Sequence, residues 1–231
     1  MTDYHGTDNL EVMACAINYN AYLTDLVRAQ IRSGDRVLDL GAGIGTFARR
    51  LASLGYHVDC VEPDRAQGAS IAQLGLHNEL SVEDYAPASF DFVYTLNVLE
   101  HIENDVAALQ AIRSRLAPSG RLLIYVPALP FLFSSMDVKV GHERRYTADS
   151  LRKAALAAGF SVSFWRYADS LGVPATLVYK WFGDASGQIN ERALIAYDRL
   201  AFPVSLLIDR VVGRWMGKNL WMLAENTGGN G

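Results

Sequence analysis

The stretch that decides the fold runs from Val37 to Thr46 and reads Val37-Leu38-Asp39-Leu40-Gly41-Ala42-Gly43-Ile44-Gly45-Thr46. A short apolar strand is followed by three glycines at alternate positions and then by the start of a helical pattern. Glycine is needed in such a turn because the backbone must bend sharply and approach a ligand without a Cβ in the way. The dinucleotide fingerprint GxGxxG has glycine at its sixth position, where this chain has Thr46. The stretch therefore predicts a nucleotide-binding turn, and its spacing disfavours a nicotinamide cofactor.

Strand and helix patterns alternate on both sides of this turn. Strands are predicted at 36–40, 57–62, 80–82, 90–95, 121–126, 161–167 and 220–224, and helices at 10–31, 46–54, 66–74, 105–116 and 147–159. Such alternation is typical of an α/β protein whose mostly parallel, doubly wound sheet is covered by helices on both faces. Residues 127–146 are predicted to form a long loop. We expect a single domain over 1–231, with an N-terminal helical cap at 1–35 and a helical insertion at 170–217.

The composition excludes several classes of protein. The chain has 231 residues, half of them hydrophobic, and a formal net charge of −4, which disfavours both a disordered chain and a nucleic-acid partner. The longest uncharged run, 122–136, is interrupted by Pro127 and Pro130 and is shorter than the roughly 18 residues of a membrane span. Residues 1–10 lack the pattern of a secretion signal, so we expect a cytoplasmic protein without integral membrane association.

The cysteines and isolated histidines show no metal-binding pattern. Cys15 and Cys60 form no CxxC or Cys/His arrangement, and His5, His57 and His77 show no ligand spacing. We therefore expect reduced, buried thiols, surface histidines and no metal site.

A carboxylate stands at the end of the second predicted strand. Glu62 lies 21 residues after Gly41, in the segment Val58-Asp59-Cys60-Val61-Glu62-Pro63-Asp64. An acid at this distance from a glycine turn can accept hydrogen bonds from both hydroxyls of an adenosine ribose. The alternative is an acid at a helix N-terminus that interacts with the helix dipole. The joint spacing of the glycines and Glu62 favours the ribose.

Together these segments resemble the class I S-adenosylmethionine-dependent methyltransferases over roughly residues 18–160. Besides the glycine turn and Glu62, the resemblance rests on Phe90-Asp91-Phe92-Val93, on Asn97-Val98-Leu99-Glu100-His101-Ile102 and on Leu116-Ala117-Pro118-Ser119-Gly120. It implies a Rossmann-like sheet of about seven strands with an antiparallel last strand, and S-adenosylmethionine as cofactor. The cofactor-binding residues that it implies are Asp39, Gly41, Ala42, Gly43, Glu62, Pro63, Val82 and Asn97.

Three shorter segments resemble, more narrowly, a bacterial branch of this family. They are Asn18-Tyr19-Asn20, Val126-Pro127-Ala128 and the GHxRRY pattern Gly141-His142-Glu143-Arg144-Arg145-Tyr146. Members of this branch are often assigned only as methyltransferases. The resemblance therefore implies methyl transfer without naming the acceptor.

The acceptor site is expected beside the loop that follows the fifth strand, at the ligand-binding edge of the sheet. His142 and Glu100 are the predicted catalytic residues, because an imidazole beside a carboxylate can take up a proton near neutral pH. Arg144, Arg145 and Tyr146 are the predicted substrate-binding residues, since paired arginines can bind a carboxylate or a phosphate. A purely structural role of the loop and a polar helix start at Glu100 stay open as alternatives.

The predicted insertion is apolar and rich in aromatic residues. This segment and the strand after it contain Tyr179, Trp181, Phe182, Tyr197, Phe202, Trp215 and Trp221. An apolar acceptor pocket, a homodimer face and ordinary core are open interpretations. A membrane-surface helix is a fourth, since Arg199, Arg210, Arg214 and Lys218 lie among the apolar residues.

The predicted function is methyl transfer from S-adenosylmethionine to an oxygen, nitrogen or carbon atom of a small-molecule acceptor. We expect a biosynthetic enzyme whose acceptor is an anionic or partly apolar metabolite. One alternative is a non-catalytic cofactor-binding or scaffolding protein, because a fold alone does not fix a function. The other is an NAD-dependent oxidoreductase, which the missing sixth-position glycine disfavours.

Overall fold

The computed structural model describes residues 12–182 and 190–228 of the chain, with the side chain of residue 182 left out. The helices are α1 (Ile17–Arg28), α2 (Thr46–Ser53), α3 (Arg65–Gln73), α4 (Asp105–Arg115), α5 (Ser135–Lys139), α6 (Ala148–Ala157), α7 (Gly172–Phe182), α8 (Glu191–Ala196) and α9 (Phe202–Val212). The strands are β1 (Val37–Leu40), β2 (Val58–Val61), β3 (Asn78–Glu79), β4 (Phe90–Leu96), β5 (Leu116–Pro127), β6 (Phe160–Ala168) and β7 (Asn219–Asn226). His5, which is expected at the surface, and the predicted helix start at residue 10 lie outside the described residues.

The strands form one seven-stranded sheet in the order β3-β2-β1-β4-β5-β7-β6. Strands β1 to β5 pair in parallel, and β7 is antiparallel to both of its neighbours. The predicted fold class is therefore confirmed, including the antiparallel last strand. The strand order reverses between β1 and β4, and open α/β sheets bind their ligands at such a point, outside the carboxyl ends of the strands.

Alternate residues of the central strands pack into two separate cores, one on each face of the sheet. On one face Leu38 and Leu122 join side chains of α4 and α6 such as Leu109 and Leu151. On the other face Val37, Tyr94 and Tyr125 join side chains of α1, α2 and α3. A central strand buried on both faces reads as a continuous apolar run, which explains why β1 and β5 are easily recognised in the sequence.

The bounds of several elements differ from the prediction, for example β5, which begins at Leu116 instead of residue 121. At two further places the difference has a side-chain cause. The third strand is Asn78–Glu79 instead of 80–82, because Ser81 accepts a hydrogen bond from the Glu83 backbone N–H and starts a 3₁₀ turn at Val82. The predicted loop at 127–146 contains a 3₁₀ turn and α5, where the Asp137 carboxylate accepts a hydrogen bond from the Ser134 backbone N–H. Both differences come from short polar side chains that bond to their own backbone.

The helical insertion is docked on the N-terminal helix through a buried acid. The Asp198 carboxylate accepts hydrogen bonds from the backbone N–H groups of Asn18 (3.0 Å) and Tyr19 (2.8 Å). The Asn18 side chain returns a hydrogen bond to the Asp198 carbonyl at 2.9 Å. Asp198 thus supplies the capping acceptor that the start of α1 lacks in its own sequence.

The helices of the described ranges are too short or too polar to traverse a bilayer. Cys60 is buried, Cys15 is half-buried, and both are free thiols.

Candidate active site

The glycine turn between β1 and α2 has the backbone conformation that only glycine adopts easily. Gly41 and Gly43 have φ angles of +76° and +57°. The N–H groups of Gly41 and Ala42 donate to the Val61 carbonyl at 2.8 and 3.1 Å, which fixes the turn to the end of β2. A Cβ on Gly41 would collide with the Val98 side chain, so the turn also packs tightly against the segment after β4.

Glu62 connects the glycine turn to the end of β2. Its Oε2 accepts a hydrogen bond from the Gly43 N–H at 2.8 Å, and its Oε1 accepts one from the Asp64 N–H at 2.9 Å. Burial raises the pKa of this carboxyl, and the two N–H groups oppose the shift. The helix-capping role falls instead to Asp64, which accepts from the N–H groups of Ala66 and Gln67 at the start of α3. This geometry disfavours the helix-dipole interpretation of Glu62 and leaves its carboxylate beside the glycine turn.

Asp39 lies in the middle of the sheet, beneath the glycine turn. It is 2% exposed, and its Oδ2 has no hydrogen-bond partner among the described residues. Burial raises the pKa of the Asp39 carboxyl to about 7, although the neighbouring Tyr94 hydroxyl on β4 and, to a smaller extent, the Ala48 backbone N–H in α2 oppose this shift. The unpartnered oxygen is an acceptor toward which a cationic group would be attracted.

The remaining predicted cofactor residues border the same edge. Pro63 is exposed beside Glu62, and Val82 is buried at the start of its 3₁₀ turn. Asn97 follows β4 with a φ of +56°, and its N–H donates to the Tyr125 carbonyl at 2.7 Å. The carboxyl ends of β1 and β4 therefore lie side by side, and Asn97 connects the end of β4 to β5.

Tyr19 completes this part of the site and was not among the predicted site residues. The Asn97 Nδ2 donates to the Tyr19 hydroxyl at 3.5 Å, and the Tyr19 ring meets the rings of Tyr125 and Phe202 edge-on. Burial raises the pKa of Tyr19 to about 12. In the sequence, only the Asn18-Tyr19-Asn20 segment pointed to Tyr19. Its contact with Asn97 could not be predicted, because it joins α1 to the end of β4, 78 residues away.

His142 belongs to a buried ionic cluster in the loop after β5. Its Nδ1 lies 2.8 Å from the Asp137 Oδ1. The Arg145 Nε and Nη2 donate to the two Asp137 oxygens at 2.9 and 3.0 Å, which makes a bidentate pair. Burial raises the pKa of Asp137, but the hydrogen bonds from His142 and Arg145 outweigh it and lower that pKa to about 2. An ionised Asp137 favours the tautomer with the proton on Nδ1, and Nε2 is then the basic nitrogen of His142.

Glu100 and His101 face His142 from the 3₁₀ turn after β4. Glu100 is fully buried, and its Oε1 lies 3.7 Å from the His142 Nε2. Burial raises the pKa of Glu100 to about 8. The His101 and His142 rings meet edge-on with centroids 4.7 Å apart, and burial lowers the pKa of His101 to about 4. The structure thus brings the predicted catalytic pair together and adds His101 to it.

The predicted substrate-binding residues bond to the protein itself. Arg145 is 7% exposed and is held by Asp137. Arg144 is partly exposed, donates to the Glu103 carbonyl at 2.9 Å and lies 3.4 Å from Asp105. The Tyr146 hydroxyl donates to the Asp105 carboxylate at 2.9 Å, and its ring is in the core. These contacts favour the structural interpretation of Arg145 and Tyr146 and leave Arg144 nearest to solvent.

The aromatic residues of the insertion divide into core and surface. Phe202 is buried and packs on Tyr19 and Tyr22, whereas Trp181 and Trp215 are 68% and 70% exposed. The side chain of residue 182 lies outside the described residues. The ordinary-core interpretation therefore holds for Phe202, and the exposed tryptophans are compatible with the dimer-face and membrane-surface interpretations.

Most of the chain matches a known protein family. A sequence model described as a methyltransferase domain covers residues 16–163. The chain belongs to this methyltransferase-domain family. The matched range includes the glycine turn, Glu62, the 3₁₀ turn with Glu100 and the loop with His142.

Individual relatives of this methyltransferase domain match only part of the chain. The ubiquinone biosynthesis O-methyltransferase of Xanthomonas campestris is 34% identical over an alignment of 116 residues, and the match covers 46% of this chain. The match covers 48% of that relative, so the chain spans about half the length of the curated relative it matches.

Two solved structures share the fold. The 1,6-didemethyltoxoflavin-N1-methyltransferase of Burkholderia thailandensis, solved with bound 1,6-didemethyltoxoflavin and S-adenosylhomocysteine, has a TM-score of 0.60 at 18% identity over 97% of this chain and 84% of its own. The cyclase SpnF has a TM-score of 0.61 at 20% identity over 90% of this chain and 81% of its own. These likenesses show the fold alone, and the second neighbour is named for a different reaction, so the function has to be argued from the site.

The donor set of the site fits S-adenosylmethionine. Glu62 can bind the ribose hydroxyls with the lone pairs that its two N–H contacts leave, and the turn at Gly43 lets the backbone approach the nucleoside. The cofactor carries an ammonium and a sulfonium, and the Asp39 carboxyl, two residues before Gly41, has a buried oxygen without a hydrogen-bond partner that can accept from the ammonium. Asn97 provides polar atoms at the neighbouring strand end, where the methionine part would lie.

Proposed function

We propose that the protein transfers a methyl group from S-adenosylmethionine to a small-molecule acceptor bound beside Glu100 and His142. One observation carries the proposal: the Glu62 carboxylate is hydrogen-bonded to the glycine turn at Gly43, at the same sheet edge where Glu100 faces His142. The first contact provides a place for a nucleoside, and the second provides a place where a proton can be accepted. Both lie at the point where the strand order reverses.

The residues of the chain then have separate roles in the reaction. S-adenosylmethionine, when bound, supplies a methyl group already activated by its sulfonium. Glu62 and the glycine turn orient the nucleoside, while Tyr19 and Asn97 cover the end of β4 and exclude water. His142, oriented by Asp137, takes up the acceptor proton at Nε2. Alignment of the acceptor with the methyl carbon contributes the largest part of the rate, since the displacement is in line.

The acceptor that we propose is a partly apolar metabolite with a hydroxyl group. O-methylation is supported by the name of the Xanthomonas relative, whose matched segment reaches 34% identity. A strongly anionic acceptor is less well supported, because Arg145 is neutralised by Asp137 and Arg144 lies beside Asp105. We further propose that the chain is a cytoplasmic biosynthetic enzyme of the branch with the GHxRRY loop.

Two measurements on the purified full chain test this function. Calorimetric titration should show binding of S-adenosylhomocysteine and no binding of NAD. Incubation with methyl-labelled S-adenosylmethionine and a panel of hydroxylated aromatic and aliphatic compounds should transfer label to at least one of them. Binding of NAD alone would support the oxidoreductase. Binding of S-adenosylhomocysteine without label transfer to oxygen, nitrogen or carbon acceptors would support the non-catalytic alternative.

A further inference from the structure

Three potential metal ligands converge at the acceptor edge of the sheet. Glu100, His101 and His142 each offer one ligand atom, and these atoms lie within 4.8 Å of one another. Glu100 and His101 come from the turn after β4, and His142 comes from the loop after β5. We propose that these three side chains bind a divalent transition-metal ion.

The Glu100 carboxyl is suited to bind a cation. Its side chain is fully buried, and neither carboxylate oxygen has a hydrogen-bond partner among the described residues. The nearby Arg145 attracts Glu100 electrostatically but donates its hydrogen bonds to both Asp137 oxygens and to the Ala128 carbonyl. A buried carboxylate without a partner is costly, and a metal ion would satisfy it.

The two histidines show an independent feature of metal ligands. His142 places Nδ1 at 2.8 Å from the Asp137 carboxylate, and His101 places Nδ1 at 3.2 Å from the Gly141 carbonyl. Metal-ligating histidines usually donate one ring N–H to a carboxylate or a carbonyl, which orients the other nitrogen toward the metal. Both rings of this cluster have such a partner.

The ligand chemistry limits the ion. Two imidazoles and one carboxylate suit Zn²⁺ or a similar transition metal, whereas Mg²⁺ and Ca²⁺ prefer oxygen ligands. Three protein ligands leave at least one position open, as in catalytic zinc sites. The cysteines and the isolated histidines predict no metal site, and this cluster leaves no pattern in the sequence because Glu100 and His142 belong to different segments.

The role of the ion rests on the proposed function. An acceptor hydroxyl bound at the open position would have a lowered pKa, and its proton would pass to solvent water. The oxygen then forms a bond to the methyl carbon while the carbon–sulfur bond breaks and its electron pair stays on sulfur. The products are a methyl ether and a neutral thioether. In this form of the enzyme the cation replaces His142 as the group that promotes loss of the acceptor proton.

Metal binding can be measured on the full chain without any acceptor. After treatment with a chelator and its removal, the protein is titrated with Co²⁺, followed by the visible absorption of the bound ion, and then with Zn²⁺ and Mg²⁺ as competitors. We expect one equivalent of Co²⁺ to bind, Zn²⁺ to displace it and Mg²⁺ to leave it in place. Glu100→Gln, His101→Ala and His142→Ala should each weaken binding by about tenfold or more. The matched control is His57→Ala, which removes an exposed histidine before β2 and should bind like the wild type.

A second readout needs no variant and covers the case in which one fails to fold. In NMR spectra, added Mn²⁺ should broaden the ring resonances of His101 and His142 at lower concentrations than the ring resonances of His57. Absence of Co²⁺ and Zn²⁺ binding by the wild type would overturn the inference, as would broadening that is equal for all three rings or unchanged binding in folded ligand variants. Titration with S-adenosylhomocysteine distinguishes this failure from failure of the proposed function, since nucleoside binding depends on Gly43 and Glu62 and not on the ion.

Discussion

The nucleoside end and the acceptor end of the site are built in different ways. At the nucleoside end, backbone groups of the glycine turn meet Glu62, which is 19 residues from Gly43 and two from Asp64. At the acceptor end, side chains from separate segments meet one another: the Glu100 Oε1, in the turn after β4, lies 3.7 Å from the His142 Nε2, in the loop after β5. The first end depends on backbone conformation, and the second depends on buried ionic contacts. Substitutions should therefore affect binding at one end and folding at the other.

Loss of Arg145 should have the largest effect on stability. Arg145→Ala leaves the buried Asp137 carboxylate without its bidentate partner, which typically costs about 3–5 kcal/mol of the free energy of unfolding. The matched variant Arg144→Ala removes a partly exposed arginine 3.4 Å from Asp105 and should cost about 0–1 kcal/mol. Urea unfolding curves of both variants give the comparison. Equal losses would contradict the view that the loop is held by its buried ion pair.

Gly43→Val should remove nucleoside binding. Valine is strained at a φ of +57°, and its side chain would occupy the space at which the backbone meets the cofactor. We expect the affinity for S-adenosylhomocysteine, measured by calorimetry, to fall by about 100-fold or more, which is about 2.7 kcal/mol. Gly34→Val is the control, because Gly34 has a φ of +85° with open space around its Cβ position. Equal affinities in the two folded variants would refute the assignment of the glycine turn.

Glu62 and Asp64 separate binding from helix capping. Glu62→Ala should weaken S-adenosylhomocysteine binding by about 1–3 kcal/mol, because hydrogen bonds to a charged acceptor are lost, and Glu62→Gln should lose less. Asp64→Ala removes the cap of α3 and should cost about 1 kcal/mol of stability while leaving the affinity unchanged. If the Glu62 variants lose only stability, then Glu62 is a structural acid.

Asp39 makes the nucleoside end sensitive to pH. Burial raises its pKa to about 7 in the folded chain, above the value near 4 of an unfolded aspartate, so the native state holds a proton that the unfolded state releases. The contribution of the protonated Asp39 to the free energy of unfolding is present at low pH. It is lost as the pH rises toward 7, by about 1.4 kcal/mol between pH 5 and 6. Asp39→Asn should make the decline of the free energy of unfolding shallower by this amount, as measured by urea unfolding at several pH values, while Glu100, whose pKa burial raises to about 8, still contributes a decline in both proteins. A wild type and variant with parallel pH profiles would show that the Asp39 carboxylate is ionised throughout.

Much of the fold and the backbone conformation of the glycine turn could be predicted because their determinants are local. The apolar run of β1, the glycines with left-handed backbone and the acid after β2 lie close together in the chain, and each has a physical reason to be that residue type. The boundaries at β3 and α5 could not be predicted, since Ser81 and Asp137 act through side-chain hydrogen bonds to the backbone that compete with strand and loop conformations.

The sequence by itself determined an α/β chain with a glycine turn, an acid directly after β2 and a loop containing His142. Only the tertiary structure decided that Asp137 binds Arg145 and orients His142, that Asp198 caps α1 and that Glu100 is buried without a partner. The physical reason is the range of the interactions. Backbone conformation depends on neighbouring residues and leaves a pattern in the chain, whereas the partner of a buried charge is chosen by packing between segments that no spacing rule connects.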